Sequence, residues 1–117
     1  MATPLVTFYS GEYETAEYTP GADVSAGDVI VQSNLLGIAP CDIDANRKGI
    51  LAVNGGIWKF PKDTGSGDAL AAGTVVYWDA GNEVVTTTAG ANLKAGEVVV
   101  AAAAADSTAK VLFIQDI

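Results

Sequence analysis

Hydrophobic positions along the chain recur as short, β-branched segments, each preceded by a polar turn that ends in glycine. The pattern apolar-x-Ala-Gly-x-Val-apolar-apolar occurs three times, as "VSAGDVIV", "LAAGTVVY" and "LKAGEVVV". With the glycine of "NRKGILAV", the repeat glycines lie 22, 24 and 23 residues apart and are Gly27, Gly49, Gly73 and Gly96. Glycine gives the backbone freedom to reverse, and Val, Ile, Thr and Tyr suit a pleated, half-buried surface. Each repeat therefore predicts a turn followed by a strand.

A second apolar segment follows each of these strands, which brings the expected number to about eight short strands. The segments are "LLGIA", "GIWKF", "EVVTTT" and "AKVLFI". Asn54-Gly55 and "DAGN" (residues 79–82) lie between such segments and predict hairpins. The alanine-rich stretch "AAAAADSTAK" is the one helix candidate, but three valines precede it and Asp-Ser-Thr favours a turn, so a hairpin containing an alanine strand is preferred. The predicted fold class is all-β, a small antiparallel barrel or sandwich.

The N-terminal residues have a different composition and are predicted to form an extended arm, residues 1–18, beside a single β domain, residues 19–117. The stretch "TFYSGEYETAEYTPGAD" has too few aliphatic residues to form a core, yet it is rich in aromatic residues of the kind that anchor interfaces. We expect the arm to order on binding; the alternative is an edge strand of its own domain. The predicted contact residues are Phe8, Tyr9, Tyr13 and Tyr18, together with two tryptophans expected to be exposed, Trp58 and Trp78. The alternative for the tryptophans is the core of the monomer.

Composition and charge narrow the function classes. Fourteen acidic and six basic residues give the 117-residue chain a net charge of −8, which disfavours nucleic-acid binding. The absence of histidine removes the commonest general base and metal ligand, so no cofactor and no metal are expected. The longest apolar run is far shorter than the roughly 20 residues of a membrane span, and no targeting segment is recognised, so no membrane partner is expected. The single cysteine, Cys41, is expected to be a small buried residue.

One short motif is typical of an enzyme active site. "DTGS", residues 63–66, is the active-site motif of aspartic proteases, whose chemistry needs two buried carboxylates that share a proton. Here Pro61 and Lys62 precede the motif and "GSGD" overlaps its end, which predicts a solvated loop. A protease is therefore a remote alternative, no catalytic residue is assigned, and the chain is predicted not to be an enzyme.

The order of the segments resembles a family of small phage capsid decoration, or cement, proteins. The resemblance rests on "AGDVIV", "LLGIAPCDIDANRKGILAVNGGIWKFPK", "LAAGTVVYWDAGNEVVTTT" and "AGEVVVAAAAADSTAKVLFI". It implies a homotrimer that binds the major capsid protein on the outer surface of a tailed-phage head and stabilises the head by bridging capsomers. It also implies a virion location after synthesis in the host cytoplasm. Family members have at times been labelled recombinase-like ATPases, but this chain lacks the phosphate-binding lysine.

Two further classes stay open beside the protease. One is another virion component, such as a head fibre base or a tail protein. The other is a non-viral β-barrel binding module.

Overall fold

The computed structural model describes residues 5–33, 35–64 and 69–114, and within these ranges it contains eight strands and no helix. No segment in these ranges is therefore a helix that could cross a membrane. The all-β prediction is confirmed. The strands are β1 (Thr7–Tyr18), β2 (Val29–Gln32), β3 (Leu35–Ile38), β4 (Gly49–Pro61), β5 (Val75–Asp79), β6 (Val84–Thr86), β7 (Leu93–Val100) and β8 (Thr108–Phe113).

The eight strands form one sheet that curls into a half-barrel. The strand order is β2-β3-β4-β8-β7-β5-β6, and β1 pairs with β4 off this path. All seven strand pairs are antiparallel. A single parallel bridge between Lys62 and Val85 brings the β6 edge towards the end of β4 and so helps to curl the sheet.

The hairpin predicted at "DAGN" is confirmed, since it joins β5 to β6, but the hairpin predicted at Asn54-Gly55 is wrong. These residues lie inside β4, which runs uninterrupted for 13 residues. Gly55 and Gly56 both have positive φ, as does Gly11 on the paired strand β1, and the β1–β4 register shifts there. The glycines therefore allow both strands to bend together rather than reverse.

The core lies on the concave side of the half-barrel and contains both tryptophans, so their expected exposure is wrong. Trp58 is 1% exposed and Trp78 is 4% exposed. Side chains alternate between the two faces of a strand, so Trp58 and Phe60 on β4 and Trp78 on β5 point inwards. The Phe60 ring lies 6.0 Å from the Trp78 ring and 6.3 Å from that of Phe113. A second, smaller cluster consists of Val24, Ala39, Ile43 and Leu51, with Tyr18 packed against it.

Most of the segment predicted as an arm is strand β1, which pairs with β4 from Tyr18–Gly49 to Thr7–Lys59. Val6, just before β1, is 2% exposed and belongs to the main core. This pairing exists within the single chain, as the edge-strand alternative expected. The boundary between residues 1–18 and residues 19–117 stays a prediction, because pairing alone does not establish whether residues 19–117 fold without β1.

The alanine-rich stretch is neither a helix nor a strand but the connection of the β7–β8 hairpin. β7 ends at Val100 and β8 begins at Thr108. Within the connection only Ala102 makes a strand-like bridge, to Leu70. The predicted hairpin is confirmed, while the predicted alanine strand is wrong.

Candidate functional site

Three of the predicted contact residues meet in one aromatic cluster where β1 pairs with the second half of β4. The ring centroids of Phe8 and Trp58 are 5.0 Å apart, those of Phe8 and Tyr13 are 5.3 Å apart, and those of Tyr13 and Trp58 are 5.1 Å apart. The Trp58 indole donates a hydrogen bond from Nε1 to the Gly55 carbonyl oxygen at 3.1 Å. Trp58 thus forms the buried base of the cluster, and Phe8 covers it from the surface.

Phe8 and its neighbour Tyr9 are the exposed part of this region. Phe8 is 43% exposed and Tyr9 is 49% exposed. Exposed aromatic rings held on a strand can anchor a partner at low entropic cost, because their backbone is already fixed. We call Phe8 and Tyr9 the aromatic pair.

The other predicted contact residues lie elsewhere. Tyr18 is at the far end of β1, half-buried against the second cluster. Trp78 is inside the core on β5 and offers no surface to a partner. Of the six residues predicted from the sequence, the structure therefore brings three, Phe8, Tyr13 and Trp58, into one cluster. Tyr9 follows Phe8 on β1 without a ring contact to this cluster, and Phe8 and Tyr9 are the two that are substantially exposed.

Tyr9 also contacts two lysines from neighbouring strands. Its ring lies 4.3 Å from Lys110 Nζ on β8 and 5.5 Å from Lys59 Nζ on β4. Lys59 and Lys110 are directly opposite each other in the β4–β8 pairing. The two lysines are far apart in the sequence, and the β4–β8 register brings them together.

A buried lysine is the other feature that sequence reasoning missed. Lys62 is 5% exposed, and its Nζ donates to the carbonyl oxygens of Asp63 (2.7 Å), Asp106 (2.9 Å), Ala103 (3.1 Å) and Ala104 (3.2 Å). These four carbonyl oxygens provide enough acceptors for the three N–H groups of the ammonium. The signal was present in the alternation of β4, since Lys62 follows Trp58 and Phe60 at a spacing of two.

The β5–β6 turn contains the clearest electrostatic effect. Asp79 accepts hydrogen bonds from the Asn82 side chain at 2.9 Å and from the main-chain N–H groups of Asn82 and Gly81 at 3.2 and 3.1 Å. The Asn82 side chain is the largest of the causes that lower the pKa of Asp79 below its ordinary value of 3.8. These hydrogen bonds stabilise the β5–β6 turn.

The described residues contain no group of three or more His, Cys, Asp or Glu side chains that could hold a metal ion. Asp63 of the "DTGS" motif is exposed, whereas Gly65 and Ser66 lie outside the described residues. Cys41 is exposed, so its expected burial is wrong. It follows Pro40 in the connection after β3, outside both hydrophobic clusters.

The sequence of the chain also matches a known protein family. The model of a family described as phage cement protein matches residues 10–113, which is nearly the whole chain. The chain belongs to the phage cement protein family. Searches of the curated proteins and of the solved structures found no match. As a member of this family, the chain is a structural component of the phage virion, with a capsid decoration role. The family match starts at Ser10 in β1, so it includes most of that strand and leaves out the aromatic pair.

Proposed function

We propose that this cement protein binds the outer surface of a tailed-phage head, contacts the major capsid protein through the aromatic pair, and stabilises the head by bridging capsomers. The observation that carries the proposal is the exposure of Phe8 and Tyr9, 43% and 49%, on a strand whose other aromatic residues are packed. Buried aromatic rings dominate the energetics of many interfaces. These two rings are therefore the best-placed anchors that the described surface offers.

The packing beneath Phe8 favours a preformed contact. Phe8 rests edge-on against Trp58, at an interplanar angle of 71°. Its backbone is fixed by pairing with β4 before any partner arrives. Binding then has to order only side chains, at roughly 0.5–1.5 kcal/mol each, rather than a whole flexible segment.

The proposed oligomeric state is a homotrimer. A subunit of this size can bury only a small area on a capsid, and linking three such contacts raises the effective concentration of each and slows release. The trimer is a prediction of this multivalency argument. Light scattering after gel filtration checks it, and a mass of one subunit that does not change on concentration would contradict self-association before capsid binding.

Co-sedimentation with undecorated capsids of the cognate phage tests the proposed contact. We expect the wild-type protein to pellet with capsids, and Phe8→Ala/Tyr9→Ala to bind at least tenfold more weakly, which corresponds to about 1.4 kcal/mol. The matched control is Val31→Ala, since Val31 is 46% exposed on β2, a strand that does not pair with β1. Equal loss in the control, or undiminished binding of the double variant, would show that the aromatic pair is not the contact. Specific binding to another virion component instead would contradict the decoration role.

A further inference from the structure

Lys59 and Lys110 form a like-charged pair on the outer face of the sheet. They are directly opposite each other in the antiparallel β4–β8 pairing. Like charges in this position are destabilising, so a neighbouring carboxylate would be the usual compensation. In the described parts of the chain the one ion pair within 4.0 Å is Lys48–Glu17, at 3.6 Å, so neither lysine has a carboxylate partner there. This is unexpected in a chain with fourteen acidic and six basic residues.

Tyr9 holds the two ammonium groups on the same side of the sheet. Lys110 Nζ is 4.3 Å and Lys59 Nζ is 5.5 Å from the centroid of its ring. Attraction between a cation and the face of an aromatic ring favours this arrangement. Tyr9 can reach both lysines because the β1–β4 register shifts between Phe8 and Ser10. The bulge in β1 thus places an aromatic ring beside a pair of cations drawn from two other strands.

An open groove runs beside the pair, and its other wall is built from small side chains. Lys59 and Lys110 line it together with Val100 and the alanine-rich connection. Small side chains let the backbone of a partner approach closely. Asp106 also lines the groove. Its Oδ2 accepts a hydrogen bond from the Ala103 N–H at 2.9 Å, which stabilises the turn at residues 103–106. The hydroxyl-bearing residues Ser107 and Thr108 line the groove as well. Among its lining residues the two lysines are the cations, and they are therefore the charged donors that the groove offers to an incoming anion.

We propose that Lys59, Lys110 and Tyr9 form a carboxylate-binding site, and that its occupant is an acidic side chain, Asp or Glu, on the capsid surface. The inference rests on the proposed function and names the chemistry of the contact. A carboxylate between two ammonium groups accepts charge-assisted hydrogen bonds from both and removes their mutual repulsion. A nucleic acid is a poor occupant, because a chain of net charge −8 repels a polyanion as a whole.

The site also fixes where along β1 the capsid partner can dock. The pair is a local positive spot on an acidic protein, and Glu12 and Glu14 are exposed farther along β1. A docked partner displaced along β1 would place its carboxylate against these glutamates instead of the lysines. Such juxtaposition of like charges is a common source of specificity. The site thus selects one position of the cement protein on the capsid.

Capsid binding of Lys59→Gln/Lys110→Gln tests the site, with Lys48→Gln/Lys94→Gln as a control of equal charge change. At low salt we expect the first variant to bind undecorated capsids at least tenfold more weakly and with a shallower salt dependence. The control should stay within about twofold of wild type. The melting temperature of the first variant should be unchanged or higher, because the repulsion between the two lysines is gone. Tyr9→Leu, which removes the ring, should weaken binding, whereas Tyr9→Phe should preserve it.

Amidation of the capsid carboxyl groups with a carbodiimide and a neutral amine tests the occupant. We expect it to weaken wild-type binding to the level of the Gln double variant and to leave that variant unaffected.

Three other outcomes would contradict the proposal. If neither the Lys59→Gln/Lys110→Gln substitution nor amidation weakens capsid binding, the carboxylate-binding site is wrong, while the decoration role stands. Failure of the wild-type protein to bind unmodified capsids would overturn the proposed function and the site with it. If the Gln substitutions instead lower the oligomeric mass in solution, and lose capsid binding only as a consequence, the occupant is a second copy of the chain and the proposed capsid carboxylate is wrong.

Discussion

The ammonium group of Lys62 donates a hydrogen bond to the main-chain carbonyl oxygen of Asp106 at 2.9 Å, across 44 residues of sequence. The same nitrogen also donates to Ala103 and Ala104, so the end of β4 holds most of the β7–β8 connection through one side chain. This connection forms a wall of the groove beside Lys59 and Lys110. A lysine buried under the sheet therefore shapes the surface where we place the partner.

Replacement of Lys62 by methionine should destabilise the protein by roughly 2 to 4 kcal/mol, because the carbonyl oxygens lose a charged donor while the aliphatic part of the side chain is kept. Urea denaturation measures the change, and amide hydrogen exchange should show lost protection in residues 103–106. Lys59→Met is the matched control and should change stability by less than about 0.5 kcal/mol, as expected for an exposed side chain. Equal stability of the Lys62→Met and Lys59→Met variants would contradict a structural role for the buried lysine.

Gly96 should be intolerant of any side chain. It lies inside β7 with φ of 148°, and an added Cβ would collide with the Leu112 carbonyl oxygen on β8. Gly96→Ala should therefore cost more than about 4 kcal/mol and prevent normal folding. The control is another repeat glycine, Gly73, which has φ of 90° and no heavy atom within 4 Å of the position that an added Cβ would take. Gly73→Ala should cost only the backbone strain, about 1–3 kcal/mol, and circular dichroism with denaturant titration distinguishes the two. A soluble, natively folded Gly96→Ala protein would contradict the observed β7–β8 packing.

The two glycines also show how far the repeated pattern predicts the structure. "LAAGTVVY" does give a turn at Gly73 and then strand β5, as the pattern predicts. "LKAGEVVV" gives a strand along its whole length, because β5 and β8 pair with both sides of β7. Local turn preference was overridden there by pairing partners that are distant in sequence.

The hairpin predicted at Asn54-Gly55 was wrong for a related reason. A hairpin at this point would separate "ILAV" from "GIWKF", but β1 pairs with both halves of β4 and holds them in one strand. The fold class followed from strand composition and turn spacing, which are local properties. The sequence named Phe8 and Tyr9 as contact residues, and that role stays a prediction. The two lysines beside Tyr9 were not predicted, because their contact requires the register of three strands.

Deletion of residues 1–18 should leave residues 19–117 folded but less stable. β1 covers Trp58 with Phe8 and Tyr13, and Val6 is buried in the main core. Loss of roughly 2 kcal/mol of apolar burial should lower the melting temperature by about 10 °C or more for a domain of this size. Deletion of residues 1–4 is the control, since it keeps Val6 and β1 intact, and calorimetry provides the comparison. An unchanged melting temperature would show that β1 is an independent arm, and complete failure to fold would show that the domain includes it.

Acid should weaken the β5–β6 turn through Asp79. Its pKa is lowered in the folded protein, chiefly by the Asn82 side chain, so the ionised carboxylate is favoured by folding. This contribution is present above the ordinary pKa of 3.8 and is lost as the pH falls through the lower, folded value. Asn82→Ala should raise the pKa of Asp79. The free energy of unfolding of the variant should be lower than that of wild type above the ordinary pKa of Asp79, and the difference should disappear at low pH, where Asp79 is protonated in both proteins. NMR titration of the Asp79 carboxyl group checks the shift, and an identical titration in both proteins would contradict its assignment to Asn82.

The central claim, that this cement protein stabilises a phage head by binding its outer surface, is tested most directly by the thermal stability of capsids. Undecorated capsids are heated with and without saturating protein, and the temperature of shell rupture is recorded by calorimetry and by release of packaged DNA. The account predicts that rupture moves to higher temperature as decoration approaches saturation, and that Phe8→Ala/Tyr9→Ala gives a smaller shift at the same concentration. An unchanged rupture temperature with the protein demonstrably bound, or the absence of binding, would contradict it.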